Sequence, residues 1–275
     1  MRRRAFTLPE LLVVIGIIVV LVAMLLPAIN RAWNQAQLVN CQSNLRQIGL
    51  AVAMYENEYH GYLPFANWNW DPAPVSFYNA TAGWLYACPL PSGPIDPSYV
   101  QTGNLWPYLQ NQKVYHCPIW VQGDMGWINN DRTDTLTSYL MNGSMCAFGT
   151  YAGPQDPTTS EAPAYFFKVT KFQPDDVVIW ESAEQDKAAW NDGATQPEES
   201  YNPAITNGNH SRHGKNLPLL SIDGHVETIS VSDYWALASQ TASGQPYGPG
   251  ILGVKNRLWC NPLTSDGHCP YDWPF

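Results

Sequence analysis

Arg4-Ala5-Phe6-Thr7-Leu8-Pro9-Glu10, followed by Leu11–Ile29 as LLVVIGIIVVLVAMLLPAI, is the stretch that decides how this 275-residue chain is built. The run from Leu11 to Ile29 holds no charged or strongly polar side chain. As a helix it would cover roughly 28 Å at about 1.5 Å per residue, close to the hydrocarbon thickness of a bilayer. Arg2, Arg3 and Arg4 stand just ahead of it, which predicts a cytoplasmic N-terminus and an exported remainder. A cleaved secretory signal would need a shorter apolar region and a small-x-small site, and Leu26-Pro27-Ala28-Ile29-Asn30 is a poor one. An unprocessed signal anchor explains the apolar run but not Glu10. A carboxylate in a membrane helix costs about 2.5–3.5 kcal/mol at the bilayer centre and asks for a cationic partner.

Beyond Ile29 the helical pattern continues. Trp33, Gln37, Cys41, Leu45, Ile48, Val52, Tyr55 and Tyr59 follow at spacings of three and four, one stripe interrupted only by Gln37, while Arg31, Asn34, Asn44, Arg46 and Asn57 lie off it. The spacing predicts a single helix, apolar all round in its first half and amphipathic in its second. Gly61 is its expected C-terminal cap, with Pro64 beyond. Pro9 falls in the first turn, where a missing N–H is harmless; Gly16 and Pro27 are the places where the helix can bend.

The rest of the chain is polar without being highly charged. Only 13% of all residues are charged and 13% are aromatic, with 23 Pro and a net charge of −9, which argues against a general nucleic-acid binder. Without the three N-terminal arginines, eleven positive side chains face 23 negative ones, a balance of −12. Residues 65–135 read as loop-rich. Strands are expected at Tyr165–Phe172, Val177–Glu181, Leu217–Ile222 and His225–Ser230. Asp223-Gly224 between the last two is a hairpin signal of the type I′ kind.

The segment Arg4 to Leu12 resembles the processing site of the type IV prepilin and pseudopilin family, in which cleavage precedes a Phe and a Glu lies five residues into the mature chain. The resemblance implies that a prepilin peptidase removes residues 1–5 and methylates the amine of Phe6. It also implies that Glu10 pairs with the N-terminal amine of a neighbouring subunit. Ala5 stands where that family usually has Gly, so slower processing is expected. His213-x9-Asp223-Gly224, within 207–230, resembles the H-x9-DG signature that accompanies such N-termini in a large bacterial family, a label that carries no known reaction.

The implied fold is α+β and pilin-like: a leader at 1–5, a transmembrane and assembly half-helix at 6–30, an amphipathic half at 31–61, and an exported head at 62–275 built on an antiparallel sheet with long loops. The implied function is that of a non-enzymatic subunit of a type IV pilus or type II secretion-type pseudopilus. Its implied partners are prepilin peptidase, other pilin-like subunits and membrane lipid, and no nucleic acid.

Two other classes stay open on the residues. Trp106, Trp120, Trp127, Trp180, Trp190 and Trp259 could anchor the core or give a membrane-tethered head a ligand-binding surface. His213 and Asp223 could do acid–base work or hold a metal, although Asp223-Gly224 are turn residues by chemistry and His213 can simply brace the hairpin. No P-loop, nucleophile elbow or dinucleotide fingerprint supports an enzyme.

Six cysteines (41, 88, 117, 146, 260, 269) on the exported side of a membrane suggest disulfides. Cys260 with Cys269 closes the shortest loop. Cys41 is either a buried thiol on the helix stripe or a staple to the head, with Cys117 the first partner to consider. His-Cys-Pro at 116–118 and again at 268–270 fits no standard zinc finger, and no metal or cofactor is expected. Asn129, Asn130, Asp131 and Asp134 offer oxygen ligands suited to calcium, without a complete ligand pattern.

Overall fold

The structure is a computed structural model and describes residues 8–67, 82–87, 96–119, 136–149, 167–181, 193–195, 197, 212–239, 255–262 and 265. Helix α1 runs unbroken from Leu8 to Glu58 with Pro27 inside it. It is the one helix among the described residues that is long and apolar enough to cross a membrane, and its most apolar window buries none of its residues against the rest of the chain. The amphipathic half behaves differently. Leu38, Cys41, Leu45, Ile48, Gly49, Ala51, Val52 and Tyr55 are buried, whereas the two ends of the expected stripe, Trp33 and Tyr59, remain 53% and 46% exposed. The helix closes through a Gly61 N–H that donates to Glu56 O at 2.7 Å. The left-handed conformation begins one residue before Gly61, at His60, with φ of 57°, as in a Schellman closure whose αL residue is not glycine.

The sheet has five strands, β1 (Tyr139–Asn142), β2 (Val177–Glu181), β3 (Ala194–Thr195), β4 (Asn216–Ser221) and β5 (Val226–Ser230), in the spatial order β3-β1-β2-β4-β5. It is mixed rather than antiparallel throughout, because β3 pairs parallel with β1. The expected strand at Tyr165–Phe172 is instead, over its described part, a bridge from Lys168 to Tyr62 and a 3-10 turn at Val169–Lys171. Residues Gln112–Tyr115 form another 3-10 turn, leading into Cys117.

Both faces of the sheet are covered. One carries Leu45, Ile48, Val52 and Tyr55 of α1 in a cluster with Tyr139, Met141, Val178, Ile179 and Leu220. The other packs Val177, Trp180, Leu217 and Leu219 against Val231, Tyr234 and Ala238 of helix α2 (Val231–Ala238) and against Leu258. The register of β2 against β4 shifts between Val177 and Ile179, so Val178 and Ile179 fall on the helix side and Val177 and Trp180 on the other. Continuing the alternation, Glu181, paired with Tyr139 across the β1–β2 ladder, faces α1.

Helix and sheet approach closely at one point. A Cβ added to Gly49 would lie 2.8 Å from Leu220 Cδ1 and 3.7 Å from Gly224 Cα. Glycine there lets the helix cross directly over the β4–β5 hairpin, and Gln42 Nε2 donates to Thr228 Oγ1 at 2.7 Å one strand further on.

Candidate functional site

Four side chains from four separate segments converge beneath α1. Cys41 comes from the buried face of the helix. Cys117 comes from the loop after the Gln112–Tyr115 turn, Glu181 from the end of β2, and His213 from the turn that opens β4. The ligand atoms of all four lie within 4.8 Å of one another. His213 Nε2 is 3.1 Å from Cys41 Sγ, 3.4 Å from Cys117 Sγ and 3.3 Å from Glu181 Oε2, and Cys41 Sγ is 4.0 Å from Glu181 Oε1. Arg212 Nη1 stands 3.7 Å from Glu181 Oε1, and both side chains are almost entirely shielded from solvent.

Local structure sets each of these positions. Cys117 N–H donates to Ser138 Oγ at 2.6 Å, and Asn44 of α1 donates to His116 O at 2.9 Å, so the loop is fixed to the helix and to the lead-in of β1. His213 bridges Asn216 across a two-residue turn whose first central residue, Gly214, has φ of +76°, the pattern of a type II′ turn.

At the far end of β4 the expected hairpin is present with a different turn. Ser221 N–H donates to His225 O and Gly224 N–H to Ser221 O, at 3.0 and 2.9 Å, with Gly224 at φ +84° and Asp223 not among the positive-φ residues. A type I′ turn would need positive φ at both. A three-residue loop with glycine in the αL position fits the hydrogen bonds instead. Asp223 accepts from the His225 N–H at 3.0 Å, which holds its carboxyl below the ordinary range.

His213 and Asp223 thus do not form a dyad. They stand at opposite ends of β4, about 17 Å of strand apart; His213 joins the buried cluster, while the Asp223 carboxylate pairs with His225.

Burial and mutual polarisation shape the cluster. The Cys117 thiol, and after it His213, holds Cys41 down to about 7 against the burial that would raise it. Burial pushes Cys117 well above the usual thiol range, with Cys41 adding to the effect. For His213, burial pulls downward, but the hydrogen bond to Cys41 and the Glu181 carboxylate together leave it raised. Tyr139, wholly buried beside them, is raised mainly by burial. Two thiols, an imidazole and a carboxylate at these separations are a donor set suited to a borderline-soft cation.

Cys41 and Cys117, the pair first considered for a staple, are both free thiols in this cluster, and Cys146 and Cys260 are buried in the core. Cys269 and Cys88 lie outside the described residues, as do the calcium candidates Asn129, Asn130, Asp131 and Asp134 and the cleavage-site residues Ala5 and Phe6. Glu10 is in the first turn of α1. Of the tryptophans weighed as a binding surface, Trp180 and Trp259 are fully buried, as is Trp84. The indole N–H groups of Trp84 and Trp259 donate to Gly193 O and Ala238 O at 3.0 and 2.7 Å, which marks them as core. Trp106 is partly buried against that core, and Trp120, Trp127 and Trp190 lie outside the described residues.

Residues 1–26 match the family model described as the prokaryotic N-terminal methylation motif. The N-terminal segment is prepilin-like. The long apolar helix followed by an α+β head fits a pilin-like architecture. No curated protein and no solved structure matches the chain.

Glu181 is the member of the cluster that sequence reasoning missed. Its signal was a carboxylate ending the apolar run Val177-Val178-Ile179-Trp180 in a strand whose five residues are all buried.

Proposed function

We propose that this chain is a subunit of a type IV pilus or a type II secretion-type pseudopilus, inserted as a precursor, cleaved between Ala5 and Phe6, N-methylated at Phe6 and assembled through Glu10. The observation that carries the proposal is the methylation-motif match at residues 1–26, on a helix whose most apolar window is unburied among the described residues. Such a half-helix needs lipid before assembly and neighbouring helices after it. In that apolar setting an ammonium on Phe6 and a carboxylate on Glu10 of the adjacent subunit attract strongly, and either alone is costly to bury. Trp33 follows the apolar run, a residue type enriched at membrane–water interfaces. In this reading the N-terminus faces the cytoplasm and the head is exported.

N-terminal mass spectrometry of the protein extracted from membranes tests the reading. The expected product begins with N-methylphenylalanine at position 6. A chain that still begins at Met1 in a host with active prepilin peptidase refutes it.

A further inference from the structure

We infer that Cys41, Cys117, His213 and Glu181 form a structural zinc site that clamps α1 to the centre of the sheet and to the β4–β5 hairpin. Ligand bonds of about 2.0–2.3 Å at tetrahedral angles place neighbouring ligand atoms about 3.3–3.8 Å apart. The separations around His213 Nε2 are 3.1, 3.3 and 3.4 Å, and the carboxylate to Cys41 is 4.0 Å, so only small side-chain shifts separate this arrangement from a coordination shell. One imidazole nitrogen facing two sulfurs and a carboxylate oxygen is poorly explained by hydrogen bonding alone, because Nε2 offers either a single proton or a single lone pair. A cation at the common centre contacts all four.

Thiolate and imidazole donors select zinc over calcium or magnesium. Four protein ligands from a buried setting make a closed, structural site rather than one with an open position for chemistry. Binding converts two thiols to thiolates and releases two protons to solvent. Two thiolates and a carboxylate are then balanced by the divalent ion and by Arg212, whose guanidinium lies beside Glu181 and orients it from outside the coordination shell.

The site also gives the H-x9-DG spacing a physical meaning. His213 is held by its turn at the start of β4, and Asp223-Gly224 make the turn at its end, so the nine intervening residues are one strand's length between a ligand and the loop that folds the hairpin back over α1. The clamp goes beyond the filament reading and holds whether or not filaments form.

The test uses the full chain extracted in detergent and purified without chelators. Elemental analysis is expected to find about one zinc per chain. Exchange with cobalt(II) is expected to produce a thiolate-to-cobalt charge-transfer band with tetrahedral d–d absorption. Cys41 and Cys117 should resist alkylation until a chelator is added. Cys117→Ser and His213→Asn should each lower zinc retention at least tenfold. Should those variants fail to fold, the cobalt spectrum of the unaltered protein still decides. Folded protein that takes up neither zinc nor cobalt, peptide mapping that finds a Cys41–Cys117 disulfide, or cobalt bands that persist unchanged in folded Cys117→Ser would overturn the assignment.

Discussion

The closeness of Gly49 to Leu220 gives the helix–sheet contact a quantitative test. Replacing Gly49 with Ala in mid-helix gains about 1 kcal/mol of helix propensity. The new Cβ would sit 2.8 Å from Leu220 Cδ1, and Leu220 is 1% exposed, so it has little room to yield. Overpacking of this kind costs about 1–3 kcal/mol, leaving the single substitution destabilising by up to about 2 kcal/mol. Leu220→Ala alone removes buried methyl groups and costs about 2–5 kcal/mol. In that background the clash disappears and the added methyl enters the space left behind, so Gly49→Ala becomes stabilising. The double variant should therefore be more stable than the sum of the singles by about 1–3 kcal/mol. Thermal melting in detergent, followed by tryptophan fluorescence, reads the cycle at about 2–4 °C per kcal/mol. Additivity within about 0.3–0.5 kcal/mol would show that the helix does not rest on Leu220, and the close-crossing geometry would be wrong.

The carboxyl of Glu56 is pushed up to about 7 by burial. A folded-state pKa above the unfolded one contributes stability that is full at acidic pH and fades as pH rises through about 7. Glu56→Gln should accordingly melt higher than the unaltered protein at pH 8 and the same at pH 4; an equal difference at both would refute the burial account. Glu10→Ala should leave the chain in the membrane fraction but abolish crosslinked subunit ladders in cells, and unchanged ladders would remove the pairing with Phe6.

Most of what organises the fold is local and could be read directly. The apolar run and the three-and-four spacing give α1 to within a few residues, β2 stands in the apolar run Val177–Glu181, and β4 and β5 flank Asp223-Gly224. Strand β1 was missed because Tyr139-Leu140-Met141-Asn142 is buried at all four positions and so lacks alternation, and β3 is only a two-residue parallel contact. Helix α2 did carry a signal. Ser230 Oγ accepts from Asp233 N–H at 3.0 Å and donates to Asp233 Oδ2 at 2.6 Å, a serine N-cap with an acid in the first turn, just before an apolar segment.

The candidate site was harder for a physical reason. Its residues are separated by at least 32 positions, and only the register of β2, the loop after Tyr115 and the helix face acting together bring 41, 117, 181 and 213 to one point. His116-Cys117-Pro118 looked like a unit, yet only Cys117 joins the cluster, while His116 Nδ1 lies 3.4 Å from Gln112 O.

Because α1 is one unbroken helix from Leu8 to Glu58, the segment suited to the membrane and the wall of the head's core belong to the same continuous helix. A twist or tension applied at the lipid end arrives at Leu45, Ile48 and Val52 as shear across the sheet, with no linker to absorb it. Subunit packing along a fibre would set head orientation as directly as the handle sets the blade of a chisel.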